Sequence, residues 1–286
     1  MKARQKVATL FAMAGLALGA TACGGTDTTG NTTGNTSGGA LEQIKSRGEL
    51  RVGVKYDSPP FGSLNPATNA PEGFDIDVSR ELAKRIGGSK EDVKFTNVST
   101  ATRIPLLQQG EIDLSVATIT ITNDRKAQVD FSTPYYPSGM AVLVPEDSPL
   151  TAAKDIAGKT NCTTTGSVAG DLVAKAAKDK YGIDEIKSIV LGTYPECVLA
   201  LKQKRADFIG TDQGTLVGLA KQSKGVKLLP ELMSNEPWGI AIKKGDTELL
   251  TAVNKALNDM FRDGTWTALY KRWVGDQPPA GWPPNA

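Results

Sequence analysis

The spacing of apolar side chains changes from one stretch of this chain to the next, and each spacing predicts an element. LEQIKSRGEL (41–50) gathers its apolar residues on one helical face and stops at Gly48, after which LRVGVKY (50–56) alternates as a strand. The loop Asp57-Ser58-Pro59-Pro60-Phe61-Gly62 follows, made rigid by two prolines and a glycine. In GFDIDVSRELAKRI (73–86), Phe74, Ile76, Val78, Leu82, Ala83 and Ile86 take up helical spacing after Asp77, and Gly73 breaks the chain before them. STATRIPLLQQGEID (99–113) predicts a strand end, a short helix that turns Ile104, Leu106 and Leu107 inward, and a turn at Gly110. Pro105 suits that helix's first turn, where its missing N–H costs nothing. Residues 112–117 read as a buried strand, and SGMAVLVPED (138–147) as a strand ended by a proline, a candidate hinge crossing. A βαβ-like series then begins: strand 159–164, helix 167–180, strand 186–191, helix 195–204 and strand 206–210. Residues 238–242 form a second hinge-like strand, followed by amphipathic helices over 247–262 and 265–273. The tail QPPAGWPPNA carries too much proline for regular structure and is expected to cover a surface. The fold class is therefore α/β.

The first forty residues follow another logic. Lys2, Arg4 and Lys6 precede an apolar run over 7–20, and Ala20-Thr21-Ala22 stand before Cys23. This is a bacterial export signal, and the small residues before the cysteine resemble the lipobox of lipoproteins, where that cysteine is lipidated. The usual leucine three residues before it is Ala20 here. We expect residues 1–22 to be a signal peptide, and residues 23–40, almost wholly Gly, Thr, Asn and Ser, to be a flexible leash. The Asn-x-Thr/Ser matches at Asn31 and Asn35 are by-products of that composition. The protein is then exported and held at the outer face of the cytoplasmic membrane by its lipid alone.

Composition narrows the chemistry. The chain has 286 residues, enough for two domains, and its formal net charge is +2. Set aside the three cations of the export signal, and 30 basic residues face 31 acidic ones with no basic cluster, so nucleic-acid binding has no support. No histidine is present, which excludes Ser-His-Asp and Cys-His nucleophiles and every histidine-containing metal site. Three cysteines without a CxxC leave no structural zinc or redox motif. We expect no metal, no cofactor and no enzymatic activity. Once lipidation takes Cys23, Cys162 and Cys197 remain in one predicted lobe of an exported protein, where a disulfide is expected.

Four places carry candidate binding chemistry. In GEIDLSVATITITNDRKAQVDFSTPYY (110–136), a buried strand gives way to Thr118, Thr120 and Thr122 and then to Arg125. An arginine fork with hydroxyls and free backbone N–H groups at a strand end makes a carboxylate receptor. By residue type alone the better reading is a core strand with an incidental arginine, and the rest of the chain must decide. Arg103 stands at the positive end of its helix, where a cation is disfavoured, so either an anionic ligand or full solvation must explain it. Thr163-Thr164-Thr165-Gly166-Ser167 opens a helix as an anion nest or as plain capping by Ser167. Asp212 tips the strand that begins at Ala206, at the end of an open sheet where ligands bind. Phe61 is either a core plug or an exposed platform.

G-F-D-I-D-V, with Leu82, Ala83 and Ile86 at their spacing, is similar to the signature of the family 3 extracellular solute-binding proteins, the polar-amino-acid receptors of ABC importers. DLSVATITITNDRKAQVDFSTPYY resembles that family's most recognisable run, and the likeness extends from about Leu41 to Gly275, most of all to actinobacterial glutamate-binding lipoproteins. The resemblance implies a two-lobed periplasmic-binding-protein fold of type II, each lobe a sheet flanked by helices, with two hinge crossings. Lobe 1 would comprise residues 41–140 and 236–286, and lobe 2 residues 141–235. It further implies that Arg125, Thr120 and the backbone around Ala117 and Thr118 hold the α-carboxylate of a free L-amino acid, that Asp212 holds its α-ammonium, and that Phe61 packs on its Cα–Cβ segment. Lys55 and Arg103 stand where receptors for glutamate and aspartate carry side-chain-binding cations. Asp57, Thr164, Ser167, Val168 and Thr211 complete the expected site. Glutamate is then the first expectation, followed by aspartate, glutamine and asparagine, since Thr211 replaces a histidine and Thr164 a lysine of several relatives. The partners implied are the amino acid and ABC permease subunits, with the receptor a monomer. Other readings are an amino-acid sensor without transport and an exported cyclohexadienyl dehydratase, for which no acid/base pair is evident.

Overall fold

The computed structural model describes residues 39–87 and 92–284. The signal peptide, Cys23 and nearly all of the expected leash lie outside the described residues.

From the N-terminal side the chain forms α1 (Ala40–Arg47), β1 (Leu50–Val54), β2 (Asp57–Ser58), β3 (Gly62–Leu64), β4 (Pro71–Glu72), α2 (Phe74–Ile86), β5 (Val93–Asn97), α3 (Arg103–Gln109), β6 (Leu114–Ser115), α4 (Asn123–Gln128) and β7 (Val129–Phe131). It continues through β8 (Met140–Pro145), β9 (Thr160–Thr164), α5 (Ala169–Tyr181), β10 (Lys187–Leu191), α6 (Tyr194–Lys202), β11 (Phe208–Asp212), α7 (Gln213–Gln222) and β12 (Val226–Leu228). It returns with β13 (Ala241–Lys243), α8 (Thr247–Arg262) and α9 (Thr265–Trp273).

Two five-stranded sheets result, one in the order β5-β1-β6-β13-β7 and one in the order β10-β9-β11-β8-β12, with β2-β3-β4 as a small third sheet. In the first, β1 runs parallel to β5 and β6, and β13 runs antiparallel to β6 and β7. In the second, β9 runs parallel to β10 and β11, while β8 is antiparallel to β11 and β12. Residues 132–139 carry the chain from the first sheet to the second, and residues 229–240 bring it back. Trp238, on the returning segment, makes bridges with Thr120 and Tyr136 and is fully buried. The fold is thus a mixed α/β fold of two lobes, each a sheet flanked by helices.

Burial explains the helices. α2 buries Phe74, Ile76, Val78 and Leu82 against α8 and α9, and the aromatics Phe74, Tyr135, Tyr136, Trp266 and Tyr270 interlock around its first turn. It begins at Phe74 rather than after Asp77, because Gly73 at φ +135° makes the break, and a Cβ there would lie 2.2 Å from the Phe61 carbonyl oxygen. Asp75 and Asp77 occupy the first turn, where the helix dipole favours anions. The other face of the first sheet carries α3 through Leu107, with Val98, Ile112, Ile119 and Val129 around it. In the second sheet, α5 covers one face through Val173 and Ala177, and α6 and α7 cover the other through Val198, Leu201 and Leu216. The bounds of α8 and α9 agree with their apolar periodicity, which is long enough to define both ends.

Several short elements were not legible. The expected strand over 112–117 keeps ladder pairing only at β6, because Thr118 turns into the left-handed region at φ +50°. α4 has six residues, and the Thr122 hydroxyl caps it by accepting the Arg125 amide at 3.3 Å. The expected 57–62 loop contributes β2 and β3 instead of remaining irregular. In the tail, Trp282 packs against Phe261 and Trp266.

Cys162 on β9 and Cys197 on α6 form a disulfide with Cα atoms 5.5 Å apart, both side chains fully buried. It clips α6 to the strand beneath it across 35 residues of chain. Replacing both cysteines by alanine is expected to lower stability by roughly 3–4 kcal/mol on the chain-entropy account. Urea unfolding of the two proteins checks this, and equal midpoints would count against it.

Candidate ligand-binding site

The parallel strands of both sheets end facing one another. β1 runs into Lys55, β5 is followed by Ser99 and Thr100, and β6 leads to Ala117 and Thr118. Opposite them, β9 runs into the Gly166–Ala169 turn that starts α5, β10 leads to Tyr194, and β11 ends on Asp212. Loops at the carboxyl ends of open-sheet strands are where such folds place ligands, because the flanking elements leave a crevice there. Here the crevice is narrow, a cavity of about 20 Å³. Lys55, Thr100, Arg103, Thr118, Thr120 and Arg125 line it from the first sheet, and Ser167, Val168, Ala169, Tyr194, Asp212 and Thr215 from the second.

Cations dominate the first wall. The Arg103 Nη1 donates to the carbonyl oxygens of Ala117 at 2.5 Å and Thr118 at 3.2 Å, while its buried Nε has no hydrogen-bond partner. Burial first, and then the like charge of Arg125, push its guanidinium down to about 9, with Asp212 opposing, so it stays charged at neutral pH. Arg125 donates from Nη1 to the Thr120 carbonyl at 3.0 Å and from Nη2 to the Gly166 carbonyl at 3.5 Å, reaching across to the other wall. Its pKa is also lowered by burial, against the attraction of Asp212. Lys55 donates to Thr100 Oγ1 at 3.2 Å, pairs with Asp57 at 3.1 Å, and lies 5.9 Å from the centre of the Tyr194 ring. Burial lowers its pKa more than Asp57 restores it.

Asp212 is the carboxylate of the facing wall. Trp238 Nε1 at 2.7 Å, Thr120 Oγ1 at 3.3 Å and Ser138 Oγ at 3.3 Å all donate to its Oδ1. Burial raises its pKa, while Trp238 and the two arginines pull it back down. Gly166 closes the cavity at its rim: it has φ +76°, and a Cβ there would lie 2.7 Å from the Cα of Ala101 on the other wall.

Of the residues expected from the sequence, Lys55, Arg103, Thr118, Thr120, Arg125, Ser167, Val168 and Asp212 meet on this cavity. The others stand behind its walls. Phe61 departs from the expected platform: it is 1% exposed and packs edge-on to Phe74, Tyr136 and Trp238, so it is a core plug. Asp57 pairs with Lys55, and the Ala117 carbonyl is taken by Arg103. The Thr211 hydroxyl pairs with that of Tyr194 at 2.6 Å, and the Thr164 hydroxyl is buried without a hydrogen-bond partner. Sequence reasoning missed Thr100, Ala169, Tyr194 and Thr215. Tyr194 lies within the capping box of Thr193 and Glu196, which announces a helix start but not the side chain's aim across the cleft.

Comparison with known proteins agrees with this architecture. Residues 50–276 match the bacterial extracellular solute-binding proteins, family 3. The ABC transporter glutamine-binding protein GlnH of Bacillus subtilis (strain 168) is 35% identical over 258 residues, covering 90% of this chain and 92% of its own. The glutamate-binding protein GluB of Corynebacterium efficiens is 33% identical over 276 residues, covering 92% and 88%. Among solved structures, an ancestral arginine-binding protein bound to glutamine superposes with a TM-score of 0.70 at 37% identity, covering 80% of this chain and 99% of that one. The chain therefore belongs to the bacterial extracellular solute-binding proteins, family 3.

Proposed function

We propose that this chain is the receptor of an ABC amino-acid importer, exported and tethered through Cys23, acting as a monomer that closes on a free polar L-amino acid and hands it to the permease. The observation that carries the reading is the distribution of charge in the cavity, with Arg103, Arg125 and Lys55 on one wall and Asp212 on the other. Arg125 takes the α-carboxylate with the backbone at Thr118, and the Thr120 hydroxyl joins them by turning its proton from Asp212 to the ligand. Asp212, whose three internal donors all occupy Oδ1, offers Oδ2 to the α-ammonium. Each wall supplies one half of a zwitterion's counter-charges, so the ligand binds the closed form better than the open one, and that difference drives closure.

The side chain is read by what remains. Asp57 offsets Lys55, Asp212 offsets one arginine, and burial holds the Asp75 carboxyl near Arg103 well above its ordinary pKa, which leaves one buried positive charge without an anion. A second ligand carboxylate at Arg103 and Lys55 restores the balance, so glutamate is the proposed ligand, with aspartate next. Glutamine is the second reading. Its amide could pair with the hydroxyls of Thr100, Tyr194 and Thr215 on the same cavity, and GlnH of Bacillus subtilis is a relative named for that amino acid.

A thermal-shift screen against the twenty amino acids tests both. A ligand at 100 times its dissociation constant adds about 2.7 kcal/mol to the stability of the form that binds it. Glutamate is expected to give the largest shift. A shift with lysine or arginine and none with glutamate overturns the acidic-ligand assignment, and a larger shift with glutamine selects the second reading.

A further inference from the structure

Helix α7 carries two glycines one turn apart, Gly214 and Gly218, in a run of ten residues. Glycine is a poor helix former, so such a pair weakens the helix unless the room left by the missing side chains is used. The helix holds to the second sheet by its other face, through Leu216 and Leu219. Residues four apart share one face of a helix, and here the glycine face is turned toward the first lobe. Neither glycine lines the cavity.

The loop between β2 and β3 fills that face. A Cβ on Gly218 would lie 1.5 Å from the carbonyl oxygen of Pro59 and 3.3 Å from Cδ of Pro60, and a Cβ on Gly214 would lie 2.9 Å from the rings of Phe61 and Trp238. The loop has little freedom to retreat. The Phe61 amide donates to the Ser58 carbonyl at 2.9 Å, the carbonyls of Pro60 and Phe61 accept the amides of Phe74 and Asp75 at 2.9 Å, and the Phe61 ring is buried in the core of the first lobe. Behind the loop, a Cβ on Gly62 would lie 2.0 Å from the Lys55 carbonyl oxygen. Backbone of one lobe thus meets backbone of the other at a distance that only glycine allows.

We propose that Gly214 and Gly218 are positioning residues for ligand binding: they form a socket in which the 59–61 loop of the first lobe seats when the lobes close, so the absence of two methyl groups sets the depth of closure. Asp212 caps the N-terminus of the same helix and stands on the cavity wall. A methyl on Gly218 pushes α7 off the loop, and Asp212 is carried away from Arg125 and Arg103 with it. A ligand held from both walls needs the closed form, so a variant that makes closure rarer weakens binding by the same factor. The inference rests on the cavity being the amino-acid site.

Gly218→Ala and Gly214→Ala test this beside Gly170→Ala, which adds the same methyl to another helix of the second lobe, α5, where the nearest heavy atom would be 3.5 Å away. Calorimetry with L-glutamate and L-glutamine gives the affinities, and small-angle X-ray scattering gives the radius of gyration with and without ligand. For whichever of the two amino acids the wild type binds more tightly, Gly218→Ala is expected to weaken binding by about tenfold to a hundredfold, as overpacking against a rigid neighbour does. Gly214→Ala, which meets ring edges, is expected to lose less, and Gly170→Ala nothing. Alanine is the better helix former at all three positions, so helix propensity alone predicts no loss. Ligand-free Gly218→Ala is also expected to have a larger radius than the wild type. Unchanged affinity in folded Gly218→Ala, or a loss no greater than that of Gly170→Ala, overturns the proposal. Should Gly218→Ala fail to fold, Gly214→Ala decides by the same measurements. If the wild type binds neither amino acid, the functional reading is what fails, and the ligand-free radii still decide whether the socket sets closure: equal radii in the wild type and the variant overturn it.

Discussion

Arg125→Ala and Asp212→Ala are each expected to abolish amino-acid binding measurable by calorimetry. Both side chains are buried in the closed cavity, and each is the sole formal counter-charge for one end of the zwitterion in the proposed pose. Removing one partner of a buried ion pair leaves the other desolvated and uncompensated, which costs about 3–5 kcal/mol, or roughly two to four powers of ten in affinity. The two variants should fail alike for ligands differing only in side chain, since they act on what every amino acid shares. Near-native affinity in either one would refute the assignment.

The same geometry sets a pH dependence whose sign can be worked out. Burial raises the Asp212 pKa above its ordinary value, so in the ligand-free protein this carboxyl takes up its proton at a higher pH than a free aspartate does. Ammonium capture needs the anion. Affinity is therefore full above that raised pKa and falls as pH drops through it. Stability runs the other way: a raised carboxyl pKa disfavours the charged closed form at neutral pH, and that disadvantage fades as pH falls. Titrations from neutral to acidic pH should show weaker binding without a matching loss of melting temperature from this group.

The second large effect concerns selectivity. Arg103→Gln together with Lys55→Met is expected to weaken glutamate by about two powers of ten while weakening glutamine by less than about tenfold, because a desolvated carboxylate without a cation is far costlier than a neutral amide. The Arg103 Nε, buried and without a partner, is a donor that a side-chain carboxylate would satisfy. Competition calorimetry on the double variant measures the ratio. Equal losses for both amino acids would show that these cations shape the cavity rather than read the ligand's charge.

These effects depend on residues the sequence advertised unequally. Arg125 was legible because TITITNDR places hydroxyls and an arginine at a strand end, and the family likeness then decided against a core strand with an incidental arginine. Asp212 was legible because an acid on the tip of an apolar strand has nowhere dry and neutral to go. Phe61 was ambiguous from its neighbours, and only Phe74, Tyr136 and Trp238 closing around it decide for the core. Thr164 and Thr211 belong to strands that reach the cleft, yet the Thr211 hydroxyl is taken by Tyr194, which no local pattern pointed toward the cavity, and the Thr164 hydroxyl is buried without a partner. The Asp75–Tyr135 contact spans 60 residues, and each partner alone reads as an ordinary member of an apolar stretch.

The sequence by itself determined the α/β class, the series of strands and helices with enough turns to show a period, the family likeness, and the pairing of the two cysteines now joined as a disulfide. Periodicity can do this because burial on one face of a helix or strand is a local demand repeated along the chain. The tertiary structure alone decided which side chains at the strand ends face the cleft. There the strand repeat stops, and aim is set by single backbone angles such as that of Thr118 and by the opposite sheet. Those terms arise from contacts between residues far apart in the chain, and no window along the sequence contains both partners.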